Sequence, residues 1–323
     1  MTRRRNEQRR TKREAAMRRI VLLCTLFALL FGACSFAAES PKKLVFLAPL
    51  PAGLESTKMQ DIVQGMVTTL AKKISADVVI RKIPYKQGEK VAYEVRKQLE
   101  AGKADISFMS GTDYAEAVLK GSKGLVPMFI MTINQNPVTN YCLYARKGEF
   151  TDVTQMKGKK WGGVGIVPTR YLLSTKGVNS PLDKYFSSIR FIQDSPPNNI
   201  VSLLQKKEID VFISADTGIW LSGMLRQKDA IFEPVYCAPA ETNIIFIARS
   251  SLDGALIEEL KKIMFNAHKD KDFAQFKFAF QMVNGKFVPV DQASLQVPMK
   301  VMKLAIKNGW LKEDMAFFNK YIK

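Results

Sequence analysis

Short apolar runs alternate with amphipathic helical patterns along most of this chain, and few folds accommodate that alternation. Apolar strands are read at 44–47, 78–83 and 105–109. Each is followed by a helix: one with Ile62, Met66, Leu70 and Ile74 on one face after Ser56 or Thr57 as cap, one opened by Tyr85-Lys86-Gln87-Gly88, and one opened by Ser110-Gly111-Thr112. Strands feeding amphipathic helices make βα units around a largely parallel sheet, so the fold class is α/β. An echo at an offset of 105 residues pairs Leu99 with Leu204, Asp105 with Asp210, Ile106 with Val211, Phe108 with Ile213 and Thr112 with Thr217. A second echo pairs Ala145-Arg146 with Ala248-Arg249, each closing an apolar strand. Repeated matches of this kind predict two lobes of like topology.

The chain is expected to leave lobe one at 136–141, build lobe two over 161–232 and return at 235–243, which makes two hinge crossings punctuated by Pro137, Pro234 and Pro239. The expected division is a leader at 1–38, the first part of lobe one at 39–138, lobe two at 139–243, and a return to lobe one at 244–323. Three C-terminal helices are read at 255–267, 273–282 and 295–307, packing back on lobe one. Phe273, Phe276 and Phe280 fall at helical spacing and are assigned to the core.

The amino-terminal segment reads as an export signal. Met17-Arg18-Arg19 precedes an apolar stretch over 20–31, the length of a signal-peptide core and too short to span a bilayer as a helix. The Arg-rich residues before Met17 either extend the signal or follow from a start at Met1 rather than Met17, and they lack the apolar continuation of a twin-arginine signal. Two processing sites compete. Ser35-Phe36-Ala37 suits an ordinary signal peptidase; Gly32-Ala33-Cys34 resembles a lipobox with Phe31 where Leu is usual, and would lipidate Cys34. The mature chain is thus free in the periplasm or tethered to a membrane, and it has no further stretch of 18 apolar residues. Export puts Cys142 and Cys237 in an oxidising compartment, where they are either two buried thiols or a disulfide.

The formal charge of the 323 residues is +19. Residues 1–20 hold nine Lys/Arg against two Glu, leaving 40 basic and 28 acidic residues after them. The remaining lysines are scattered over helix faces with no interleaved aromatics, which argues against nucleic acid as a partner. A single histidine, His268, on a Lys/Asp-rich stretch and only four cysteines argue against a metal centre. No nucleophile elbow or phosphate loop is present, so neither an enzyme nor a cofactor is expected.

Three segments carry a family resemblance: Leu99 with Asp105-Ile106-Ser107-Phe108-Met109-Ser110-Gly111-Thr112-Asp113-Tyr114, then Met156-Lys157-Gly158-Lys159-Lys160, then Leu203 with Asp210-Val211-Phe212-Ile213-Ser214-Ala215-Asp216. Together they resemble the periplasmic solute-binding proteins of the phosphonate, phosphite and phosphate uptake family. The resemblance implies a type II periplasmic-binding-protein fold, two α/β lobes closing on a ligand about two hinge strands. It further implies an anion held at helix amino termini. In lobe one these would be Ser110, Gly111 and Thr112, with Tyr85 and Tyr114 as ligand-bonding tyrosines.

In lobe two the sequence departs from the family's hydroxyl-rich run. Ile166-Val167-Pro168 leads to Thr169 as the one hydroxyl, with Arg170 to compensate by a bidentate grip. At 195–199 the family often has a His followed by an acidic residue that meets an ammonium group, whereas this chain has Ser-Pro-Pro-Asn-Asn, leaving Asp216 as the acidic candidate. The expectation is a monomeric, exported solute-binding component of an ABC uptake system, passing a small phosphonate-, phosphite- or phosphate-like anion to an inner-membrane permease. A sensor lipoprotein of the same fold, an exported enzyme on it and a ligand-free adhesin are the alternatives.

Overall fold

In a computed structural model, the strands sort into two sheets, one for each lobe. The structure describes residues 42–51, 57–85, 91–163, 165–192, 197–217, 225 and 230–321. The export signal, Cys34, residues 52–56 and Ser195-Pro196 lie outside them.

Lobe one begins β1 (Lys42–Pro51), α1 (Thr57–Lys73), β2 (Ala76–Tyr85), α2 (Val91–Glu100), β3 (Ile106–Met109), α3 (Gly111–Leu119) and β4 (Leu125–Met131). The chain crosses on β5 (Val138–Arg146) into lobe two, which holds β6 (Lys160–Gly163), α4 (Ile166–Thr175), α5 (Leu182–Tyr185), β7 (Ser188–Phe191), α6 (Pro197–Gln205) and β8 (Val211–Ala215). It returns on β9 (Phe232–Thr242) to β10 (Ile245–Arg249), α7 (Gly254–Asn266), α8 (Ala274–Met282), β11 (Phe287–Pro289), α9 (Gln292–Lys307) and α10 (Trp310–Tyr321). Among the described residues no helix is long and apolar enough to cross a membrane.

The first sheet runs β11-β4-β10-β3-β1-β2 and the second β7-β6-β8-β5-β9. Read backwards, the second repeats the inner order of the first. β3 lies parallel to β1 and antiparallel to β10, as β8 lies parallel to β6 and antiparallel to β5. The echo seen in the sequence has a physical cause. Asp105, entering β3, accepts from the Val45 amide at 2.7 Å and pairs with Arg249 at 2.6 Å. Asp210, entering β8, accepts from the Lys160 amide at 2.9 Å and pairs with Arg146 at 2.7 Å. Each carboxylate thus clamps the parallel neighbour on one side of its strand to the antiparallel neighbour on the other. Burial pushes the Asp210 carboxyl up, but the Lys160 amide and the Arg146 guanidinium outweigh it and hold the group below the usual carboxylate range.

Lobe one buries a phenylalanine cluster, with Phe129 stacked on Phe246 at 4.9 Å and Phe276 edge-on to Phe280 at 4.7 Å. Phe273, Phe276 and Phe280 are all core, as their spacing predicts. Lobe two centres on Trp161 on one face of its sheet and on Tyr144 stacked at 5.1 Å against Phe212 on the other. β4 escapes a pattern reading because Pro127 interrupts its apolar run; in the sheet that proline sits at the register shift between β4 and β10, a position that tolerates a missing amide.

Two further points differ from or complete the sequence reading. α9 and α10 do not pack on lobe one alone: Val301, Met302, Ala305 and Trp310 join the lobe-two core. The cause is α4, whose outer face takes its apolar cover from these carboxy-terminal helices. Cys142 and Cys237 form a disulfide, each directly opposite the other across β5 and β9, with Cα atoms 4.1 Å apart. The open choice between thiols and a bridge is closed in favour of the bridge.

Candidate functional site

Where β3 ends and the two crossing strands pass between the lobes, the structure forms a half-open cavity of about 360 Å3. Lobe one contributes Phe108, Met109, Ser110 and Asp113; β5 contributes Thr139 and Tyr141; the turn after β8 contributes Thr217; the β9–β10 crossing contributes Glu241 and Asn243. Walls drawn from both lobes and from the strands joining them are what a closing ligand site requires.

The geometry is set by the amino terminus of α3. Ser110 is its cap: the backbone is extended, and the Ser110 hydroxyl oxygen accepts from the Asp113 amide at 3.1 Å while donating to the Asp113 carboxylate at 2.8 Å. Gly111 follows because β9 passes too close for a side chain. A Cβ there would lie 2.5 Å from the Thr242 Cβ. That approach brings Glu241 onto the helix terminus. Its Oε1 accepts from the amides of Thr112 at 2.8 Å and Thr242 at 3.0 Å, and its Oε2 accepts from the Thr112 hydroxyl at 2.6 Å. The anion-favouring end of α3 is therefore filled by a carboxyl of the chain itself.

Thr242 is fixed in turn from the far side. Pro298 lies inside α9 and cannot donate to the Ser294 carbonyl four residues back, and the Thr242 hydroxyl donates to that carbonyl instead. Beside it, the Thr139 hydroxyl donates to the Asn243 side-chain oxygen, and the Asn243 amide donates to the Asn136 carbonyl at 2.8 Å. The crossings are thus pinned by polar contacts at the cavity rim.

Burial pushes the Glu241 carboxyl up, the Thr112 hydroxyl pulls it down, Asp113 pushes it up again, and the balance leaves it at about 8. Tyr141, facing both carboxyls from β5, is held well above its ordinary value by burial, Glu241 and Asp113. In the unfolded chain Glu241 ionises near 4.5. The folded protein binds that proton more tightly, so its stabilising contribution is complete below about pH 4.5 and is lost as the pH rises to about 8. Over that range the loss is expected to be a few kcal/mol. Glu241→Gln keeps the protonated shape and should flatten the slope, which denaturant midpoints at several pH values will measure. An unchanged slope would place the titration elsewhere.

The residues expected from the sequence divide three ways. Ser110 lines the cavity, and Gly111 and Thr112 form the helix terminus beside it. Asp216 lies next to the lining residue Thr217; its Oδ2 accepts from Asn140 Nδ2 at 2.7 Å, and its Oδ1 is enclosed with no hydrogen-bond partner among the described residues. Tyr85 ends β2, and its side chain lies outside the described residues.

Three expectations are corrected. Tyr114 points into the lobe-one core with Val95 and Leu99, because the position after Asp113 falls on the inner face of α3. Thr169 is buried, and its hydroxyl donates to the Gly165 carbonyl at 2.6 Å, one turn back. Arg170 turns to the opposite side of α4, where it pairs with Glu313 at 3.2 Å. The sequence reading missed Asp113, Tyr141, Thr139, Asn243 and above all Glu241. The available signal was a lone acidic residue in 238–243, a segment already assigned to a hinge crossing.

No family model and no curated protein matches the sequence. Solved structures do. XAC2383 from Xanthomonas citri bound to ATP superposes with a TM-score of 0.60 at 13% identity, covering 83% of this chain and 98% of its own. PhnD1 from Prochlorococcus marinus in complex with methylphosphonate gives 0.58 at 15%, covering 84% and 100%. The periplasmic aliphatic sulphonate binding protein SsuA from Escherichia coli gives 0.53 at 13%, covering 84% and 88%. Likeness at these identities establishes the fold.

Proposed function

From the type II periplasmic-binding-protein fold that this chain shares with those proteins, we propose that it is the exported, monomeric solute-capturing component of an ABC uptake system. The observation that carries the reading is the cavity between the lobes, lined from both and bordered by the two crossing strands. A solute bridging Ser110 on one side and Thr217 on the other stabilises whichever arrangement of the lobes lets it touch both, and an inner-membrane permease then recognises that arrangement. In this reading the chain binds and releases its solute unchanged.

The phosphonate-like anion that the resemblance implies has a condition attached. To reach the amino terminus of α3 it has to displace Glu241 from three donors. A thermal-shift screen against phosphate, phosphite, alkyl- and aminoalkylphosphonates, sulfonates, carboxylates and amines tests the capture reading without assuming the charge. A true ligand at a hundred times its Kd should add about 2.7 kcal/mol, a rise of several degrees in Tm, with compaction visible in solution scattering. If no class raises Tm or compacts the protein, the reading falls.

A further inference from the structure

Resting on the solute-capture reading, we propose that the cavity selects a solute with an organic cationic group, an ammonium or its substituted forms, on a small apolar body. The described lining contains no Lys, Arg or His, but it does present the carboxyls of Asp113 and Glu241 and the hydroxyl of Tyr141. An anion entering there meets two acidic groups and a helix terminus whose donors are already engaged by Glu241. A cation meets the reverse: two carboxyls, an oxygen-rich rim at Thr139 and Thr217, and no positive neighbour among the described lining residues.

Much of the remaining wall is apolar, including Val91, Val95, Phe108, Ile133 and Ile244. That surface suits the hydrocarbon part of an amphipathic solute. A metal ion does not fit the arrangement, since among the described residues no group of three or more His, Cys, Asp or Glu side chains comes together.

Binding of the cation is coupled to the Glu241 proton. With an ammonium between Asp113 and Glu241, the ionised form of Glu241 is favoured, and the proton it holds in the empty site leaves to solvent. The titratable groups facing Glu241 are Asp113 from α3 and Tyr141 from β5, with Thr112 and Thr242 as its hydrogen-bond donors.

The test is a trio sharing one benzyl body, measured by titration calorimetry on the purified protein at pH 7: benzylammonium, benzyl alcohol and benzylphosphonate. Benzylammonium is expected to bind at least tenfold more tightly than the alcohol, and the phosphonate more weakly than the alcohol. Heats in buffers of different ionisation enthalpy should report release approaching one proton per ammonium bound. Glu241→Gln and, as a second variant, Asp113→Asn should each weaken benzylammonium about tenfold and shrink its advantage over the alcohol. If benzylphosphonate binds tightest, or all three bind equally, the inference is overturned while solute capture stands. If none binds, the inference is again overturned, and the wider screen decides capture separately.

Discussion

Replacing Arg170 by Ala is expected to destabilise the protein by about 3–5 kcal/mol and to leave solute affinity unchanged. The guanidinium is 4% exposed. It pairs with Glu313 on α10, donates to the carbonyls of Ser180 and Asn179, the latter at 3.0 Å, and lies 5.4 Å over the Trp310 ring. Its removal strands a recessed Glu313 carboxylate, whose other partner is the Leu182 amide at 2.8 Å. It also takes away one face of the Trp310 packing that fastens the carboxy-terminal helices to lobe two. Unfolding in denaturant measures the loss, and Tm should fall by roughly 10 °C. The double variant Arg170→Met/Glu313→Leu should recover much of it, because no buried charge is then left alone. A fall in solute affinity at unchanged stability would return Arg170 to the cavity.

Removing the Cys142–Cys237 bridge with Cys142→Ala/Cys237→Ala should cost about 2–5 kcal/mol. The bridge spans 95 residues of sequence, nearly all of lobe two. The unfolded chain therefore loses a long-range restraint when it is cut, and the chain-entropy account makes that loss large. In the folded state Cys142 is buried against Tyr144 and Phe212, so alanine is tolerated there better than serine. Thermal unfolding of the native protein with and without a reductant supplies the same comparison without mutation. If neither the variant nor the reductant lowers Tm, the bridge contributes nothing to stability.

The lobes were legible in the sequence because the short motifs at the two ends of their defining ion pairs occur twice. An Asp entering a strand and an Arg ending its antiparallel neighbour recur as Asp105 with Arg249 and Asp210 with Arg146, and the residues around them recur with them. The helix terminus at Ser110 was legible for the same reason, since a cap is written within four residues. Arg170 was misread because its environment is supplied by Glu313 and Trp310, some 140 residues later, and nothing near α4 announces them. Glu241 was missed for a related reason. Its importance comes from Gly111, which lets β9 approach, and from Thr242, which Pro298 leaves a carbonyl to hold. Neither relation has a sequence spacing.

The disulfide also bears on how the lobes are able to move. It welds β5 to β9 four residues in from Val138, the lobe-two side of the crossing, so the two connecting strands behave as one ribbon and cannot slide lengthwise past each other. Any rearrangement of one lobe against the other is left to bending and twisting of the short paired segments beyond the bridge, 138–141 and 238–242. A motion with so few independent coordinates loses little freedom when a solute arrests it, and the binding energy that would otherwise go into ordering a loose hinge stays available for affinity.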